Sequence, residues 1–253
     1  GPQLRTYRIA ISATWEYANA FGNGTVAGTV ASIATWLNAA NVYFERDAAI
    51  RMLLVNNTNT IYSADRGFTA ATDPFDNESA QNQLLSQNAT VLKDQVGVAN
   101  YNLGHVLALS TTGGNGVATL NSVCENREFE GGPLKGSAFS RLSVPVGNSV
   151  GVHIFTHEVG HQFGAEHTHN AGGCAGIVPE NGYEAGGGSS TMAYQGNCGV
   201  NAYGPPYNIP EYFHSRSIQQ ITNHVVNGTG ATCATIVNSG NNEIGRASCR
   251  ERV

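Results

Sequence analysis

A helix that carries both His157 and His161 cannot also present His167 unless it breaks between them, and this demand restricts the fold more than any other feature of the chain. Residues 157–167 read His-Glu-Val-Gly-His-Gln-Phe-Gly-Ala-Glu-His. Positions four apart on an α-helix lie about 40° from each other on one face, one turn above the other. Two imidazoles at that spacing can share one metal ion. Glu158 lies about 100° round from His157, better placed for a water on that ion than for the ion. An unbroken helix would turn His167 about 240° away from His161. Gly164 is the natural breaker, because glycine accepts the left-handed backbone that ends helices. The chain can then return His167 as a third ligand. Three protein ligands leave the fourth position open, the catalytic rather than the structural arrangement of zinc. The bland alternative is an amphipathic helix with incidental histidines.

All five fixed positions resemble the metzincin zinc-peptidase signature, His-Glu-x-x-His-x-x-Gly-x-x-His followed by a methionine turn. Ser190-Thr191-Met192-Ala193-Tyr194 is similar to that turn, and the chain's one other methionine, Met52, lies upstream. The resemblance implies that Met192 forms a hydrophobic floor beneath the metal. It also implies that Tyr194 stands near the zinc as an extra ligand or oxyanion stabiliser; a packed aromatic is the alternative. Gly116 to Cys124 (Gly-Val-Ala-Thr-Leu-Asn-Ser-Val-Cys) resembles the edge strand of the reprolysin (adamalysin-like) branch. There, Gly116, Val117, Ala118 and Thr119 would bind an extended peptide through main-chain hydrogen bonds. The alternative is an ordinary β-strand. One residue departs from the pattern: Thr168 follows the third histidine, where reprolysins usually have Asp and astacins have Glu.

Composition narrows the partners. The net charge of −5, with charged residues only 12% of the chain, gives no case for nucleic acid. No apolar run approaches a membrane span. Cys124, Cys174, Cys198 and Cys233 are even in number and contain no C-x-x-C spacing, which favours two disulfides and an oxidising compartment over a cysteine–zinc site. Three pairings are open to four cysteines; the reprolysin resemblance implies Cys174–Cys198 and Cys124–Cys233. Cys249 lies in an arginine-rich tail, residues 243–253, that looks like adapter or vector sequence. The natural protein is expected to continue past about Asn242. No signal peptide is visible, and Gly1-Pro2 reads as a processing scar or an arbitrary start. The expectation is a mature, monomeric, secreted catalytic domain with an inhibitory propeptide upstream.

The expected fold is α/β: a metzincin-type zincin domain over residues 1–235, with a tail at 236–253. Its upper part (about 1–164) is a twisted mixed sheet with two long helices and the active-site helix above it. Its lower part (about 165–235) is small and irregular. Strands are expected at Tyr7–Ser12, Ile50–Val55 and Val106–Leu109, with the edge strand after a glycine-rich turn at 112–115. Helices are expected from a Thr25 cap, over Ser79–Val96, from near Ser149 to Gly164, and over Ser215–Asn227. The segment Gln195–Phe213, with Tyr203, Pro205, Pro206, Tyr207 and Tyr212, would wall the pocket beyond the scissile bond. His105, His153, His169, His214 and His224 are left off the metal, with His153 as a possible neighbour of its ligands, and Glu166 reads as a solvated charge. Sequons stand at Asn23, Asn56, Asn77, Asn88 and Asn227. Calcium near the termini is common in reprolysin-like domains; Glu16 and Asp94 are conceivable ligands, without a loop motif. The implied function is zinc-dependent hydrolysis of peptide bonds in protein or peptide substrates, with Glu158 as general base. The rival classes are a catalytically silent binding module of the same fold and a zinc hydrolase of a non-peptide substrate.

Overall fold

The computed structural model describes residues 3–76, 81–111, 113–170, 172–194 and 212–238. The alternating start becomes β1 (Gln3–Ala13), followed by α1 (Trp15–Phe21), α2 (Val26–Ala48) and β2 (Ile50–Leu54). α3 (Gln81–Gln95) leads to β3 (Leu103–Leu109). An excursion then holds β4 (Asn115–Ala118) and a ribbon of β5 (Glu128–Phe129) with β6 (Gly132–Pro133), and returns through β7 (Ala138–Leu142). α4 (Ser149–Gln162), α5 (Ser215–Asn227) and β8 (Thr235–Asn238) complete the described elements. α1, β7 and β8 were not expected from the sequence. β8 lies at the junction where the tail was expected to begin.

The sheet order is β2-β1-β3-β7-β4, with β8 pairing β1. The pairs β1–β2, β1–β3 and β3–β7 are parallel, while β4 on β7 and β8 on β1 are antiparallel. β4 is therefore the edge strand, as expected, and β7 is the strand that puts it there.

The helices do not lie on one face. Along β3, Leu103 and Leu107 join the core that contains Trp36, Phe44, Phe155 and Phe163 of α2 and the α4 region. Val106 and Ala108 join the opposite core, with Leu84 and Val91 of α3. Side chains alternate across a strand, so the continuous apolar run 106–109 needed cover on both sides. α2 and α4 supply one and α3 the other. Each fully buried aliphatic or aromatic side chain there contributes about 1.5–3 kcal/mol. No helix among the described residues is long and apolar enough to cross a membrane. Asn88 is fully buried and its side-chain amide donates to Gly136 O at 2.7 Å, so that sequon is closed in the folded chain.

Candidate metal centre

Local rules place the three histidines. Asn148 caps α4 by accepting from Val150 N at 2.9 Å. The other end closes in a Schellman motif: Gly164 N bonds His161 O at 2.8 Å and Ala165 N bonds Gly160 O at 2.9 Å. Gly164 has φ +96° there, the left-handed conformation that glycine was expected to supply. The loop after β4 adds donors to the last turn, with Asn121 N also on His161 O (3.1 Å) and Val123 N on Gln162 O (3.2 Å). The edge strand and the end of α4 are thus fixed to each other.

His157, His161 and His167 converge, with one ring nitrogen from each within 4.8 Å of the others. Nε2 of His167 lies 3.1 Å from Nε2 of His157 and 3.1 Å from Nε2 of His161. Each Nδ1 faces a backbone carbonyl: Thr191 O for His157 (2.7 Å), Ala165 O for His161 (2.6 Å) and Gly176 O for His167 (2.6 Å). A carbonyl only accepts, so each Nδ1 carries the proton and a neutral ring turns a bare lone pair inward. Three lone pairs cannot hydrogen-bond one another; a cation satisfies all three. Zinc–nitrogen bonds of 2.0–2.1 Å in a tetrahedron put the nitrogens about 3.3 Å apart, close to the spacing found. Burial holds His161 down to about 3 and His157 well below the ordinary imidazole value, with neighbouring histidines adding to both. The neutral, metal-binding form is favoured.

Glu158 is buried, and burial pushes its pKa up to about 8. A cation beside it would favour the charged form. Its carboxyl packs against β4: a Cβ built on Gly116 would lie 2.7 Å from Glu158 Cδ and from Oε1. Met192 is fully buried under α4, where a Cβ on Gly160 would lie 3.4 Å from its Cε and 3.2 Å from Phe213 Cε1. Gly160 opens the room for this floor. Tyr194 lies 4.5 Å, ring to ring, from His167 and stacks on His169 at 4.6 Å and 20°. Burial, then the Glu158 charge, raises its phenol pKa, so it stays a proton donor.

The His169 ring lies 5.2 Å from that of His167 but does not join the converging set, its Nε2 facing Ala175 O at 3.0 Å. The ring of His153 lies 5.8 Å from that of His157 and bonds the backbone of Ala193. His105 packs between β3, β7 and α4, with Nε2 on Ser140 Oγ at 2.9 Å. Glu166 is not a solvated charge: its carboxylate takes the side-chain amides of Gln220 (2.8 Å) and Asn181, joining the loop to α5. Thr168 is buried, and its hydroxyl donates to Glu184. Burial raises the Glu184 pKa, but bonds from Ser190, Thr168 and Ser189 outweigh it and leave the net shift downward. Glu16 lies on α1 and Asp94 on α3; among the described residues no cluster of three ligating groups other than the histidines is found.

Cys124 is bonded to Cys233, as the resemblance implied. Cys174 is also disulfide-bonded; Cys198, the partner expected for it, lies outside the described residues. So do Tyr203, Pro205, Pro206 and Tyr207 of the expected pocket wall. Sequence reasoning missed Gly160 and Glu184. A glycine inside a helical pattern costs about 1 kcal/mol against alanine and so asks for a packing reason, which marks Gly160. Glu184 had no such mark.

A family model described as Reprolysin_5, metallo-peptidase family M12, matches residues 3–203. Among solved structures, one titled "Structure of a chaperone-substrate complex" aligns at a TM-score of 0.49 and 16% identity, over 89% of this chain and 35% of its own. The chain thus spans about a third of that protein's length. No curated protein matches.

Proposed function

The chain belongs to metallopeptidase family M12 as a reprolysin-like metzincin, and from that premise we propose that it is a secreted zinc-dependent endopeptidase. The observation that carries this reading is the convergence of three Nε2 atoms whose Nδ1 partners are all backbone carbonyls. His157, His161 and His167 would hold the metal. When bound, zinc supplies Lewis acidity to the scissile carbonyl and lowers the pKa of a water towards about 7.

The side chains do the rest. Glu158 takes a proton from the attacking water and later delivers it to the leaving amine. Its burial supports this, because a raised pKa favours a group that must both accept and return a proton near neutrality. Tyr194 donates a hydrogen bond to the developing oxyanion, held in place by the His169 stack. The substrate lies extended along β4. Thr119 N already donates to Ser137 O at 3.0 Å. In an antiparallel ladder the bonding side alternates, so Val117 also faces β7, and Gly116 and Ala118 offer their main chain to substrate.

Digestion of casein or gelatin tests the proposal. Cleavage should stop on chelation and return with zinc. Zinc bound at one equivalent without cleavage of either protein would overturn the endopeptidase reading in favour of a silent module or a non-peptide hydrolase. Cleavage that survives complete metal removal would overturn the zinc reading.

A further inference from the structure

Glu184 sits between the third histidine and the methionine turn and is only 9% exposed. Its Oε1 accepts from Ser189 N (2.8 Å) and Ser190 N (2.9 Å). Its Oε2 accepts from Ser190 Oγ (2.6 Å) and from Thr168 Oγ1. Among the described residues no lysine or arginine pairs with it. A buried carboxylate without a cation is costly unless its lone pairs are satisfied, and here five donors meet it, the fifth being Ser189 Oγ on Oε1 at 3.3 Å. All five come from the two segments that flank the metal centre. The backbone adds Glu184 N on Thr168 O (2.8 Å) and Thr168 N on Met192 O (3.2 Å).

The consequence reaches a ligand in two steps. Ser190 precedes Thr191, whose carbonyl takes the His157 Nδ1 proton at 2.7 Å. Met192, the floor, comes next. We propose that Glu184 is the positioning residue of the metal centre, its one carboxylate locking Thr168 to Ser189-Ser190 and so fixing the Thr191 carbonyl that orients His157. Thr168 is then half of a pair. The carboxylate that the resemblance placed at 168 enters from position 184 and reaches the turn alongside a hydroxyl. Thr168 Oγ1 lies 3.4 Å from Ser190 Oγ, so a carboxylate at either position can reach the same donors, and there is room for one.

This inference rests on the metal-centre reading, and the test separates the two. Affinity for Co2+ and the visible absorption of the Co2+ form are measured on the whole chain. Failure of the wild-type chain to bind Co2+ would remove the metal reading and this proposal with it. Given binding, Glu184→Ala should weaken Co2+ affinity by about 10–100-fold, the usual effect of losing a partner behind a ligand, and should alter the absorption band. Thr168→Asp alone crowds two carboxylates and should also weaken it. Glu184→Ala with Thr168→Asp should recover most of the loss, so that the double variant exceeds either single one. If Glu184→Ala does not fold, Glu184→Gln replaces it, with a smaller loss in the same direction and the same recovery. Ile33→Ala, a core change on α2, controls for general loosening. Unchanged Co2+ affinity in the Glu184 variants, no recovery in the double variant, or an equal loss in Ile33→Ala would each overturn the proposal.

Discussion

Replacing Gly116 with alanine presses on Glu158, and a second background separates that effect from the strand's hold on substrate. The new Cβ would stand 2.7 Å from Cδ and Oε1 of Glu158, where ordinary contact begins near 3.4 Å. The carboxyl must therefore retreat by about 0.7 Å or more, and it is buried, with little slack. Gly116 is absent from the left-handed positions, so alanine costs nothing in backbone conformation. Overpacking of this kind costs about 1–3 kcal/mol of stability. Misplacing a reacting group by about 1 Å costs roughly 100-fold in rate, or about 2.7 kcal/mol of transition-state stabilisation. The His157, His161 and His167 partners are untouched, so metal content should stay at the wild-type level.

The assay is initial-rate cleavage of a fluorogenic casein, with metal content and melting temperature measured on the same samples. The second half of the test is non-additivity. In a Glu158→Gln background the base is already lost, so Gly116→Ala should cost little more. A further loss of about 100-fold in that background would mean that the alanine acts on the strand and the substrate, not on Glu158. Near-normal kcat/KM in the single variant with an intact fold would refute the close-approach argument outright.

Glu158→Gln itself should keep the metal and lose about 10²–10⁴-fold in rate; near-normal turnover in the same casein assay would remove the general-base role. His167→Ala should sharply lower metal affinity while His169→Ala does not, read by metal titration. Tyr194→Phe should cut kcat by about 100-fold with metal content unchanged, and an unchanged rate would leave Tyr194 as packing. His105 is buried and its pKa is lowered to about 4 by burial. A group depressed from about 6.5 contributes stability above that pH and loses it as pH falls through 4, here about 3 kcal/mol. Urea unfolding between pH 7 and 4 should show that slope added to those of the buried His153, His157 and His161, and His105→Gln should lower the total by the His105 share alone.

The sheet and its helices were legible where one local rule decided the outcome. Thr25 does cap α2, accepting from Gly28 N, and Ser215–Asn227 matches the last helix to the residue. Ala138–Leu142 was not legible as a strand, because its identity depends on β3 and β4 lying on either side of it. The same non-local logic hid the second face of the sheet. The run Val106–Leu109 announces burial on both sides, but which helix covers which side follows from packing, not from the run.

At the metal centre the division is sharper. His157, Glu158, His161, Gly164 and His167 were legible because one helix and its end fix all five relative to one another. Met192 and Tyr194 needed a resemblance, since nothing in the spacing of 25 residues after His167 brings them back beneath the ring cluster. Thr168 looked like a defect in the pattern, because a threonine beside a ligand carries no charge. Its partner Glu184 lies on a loop held by the bridge between His169 and Glu184 and by hydrogen bonds to Ser189 and Ser190. A carboxylate can act from either side of a shared donor set. On the proposed reading, Glu184 supplies the carboxylate at the turn, and Thr168 joins the same donor set through its hydroxyl.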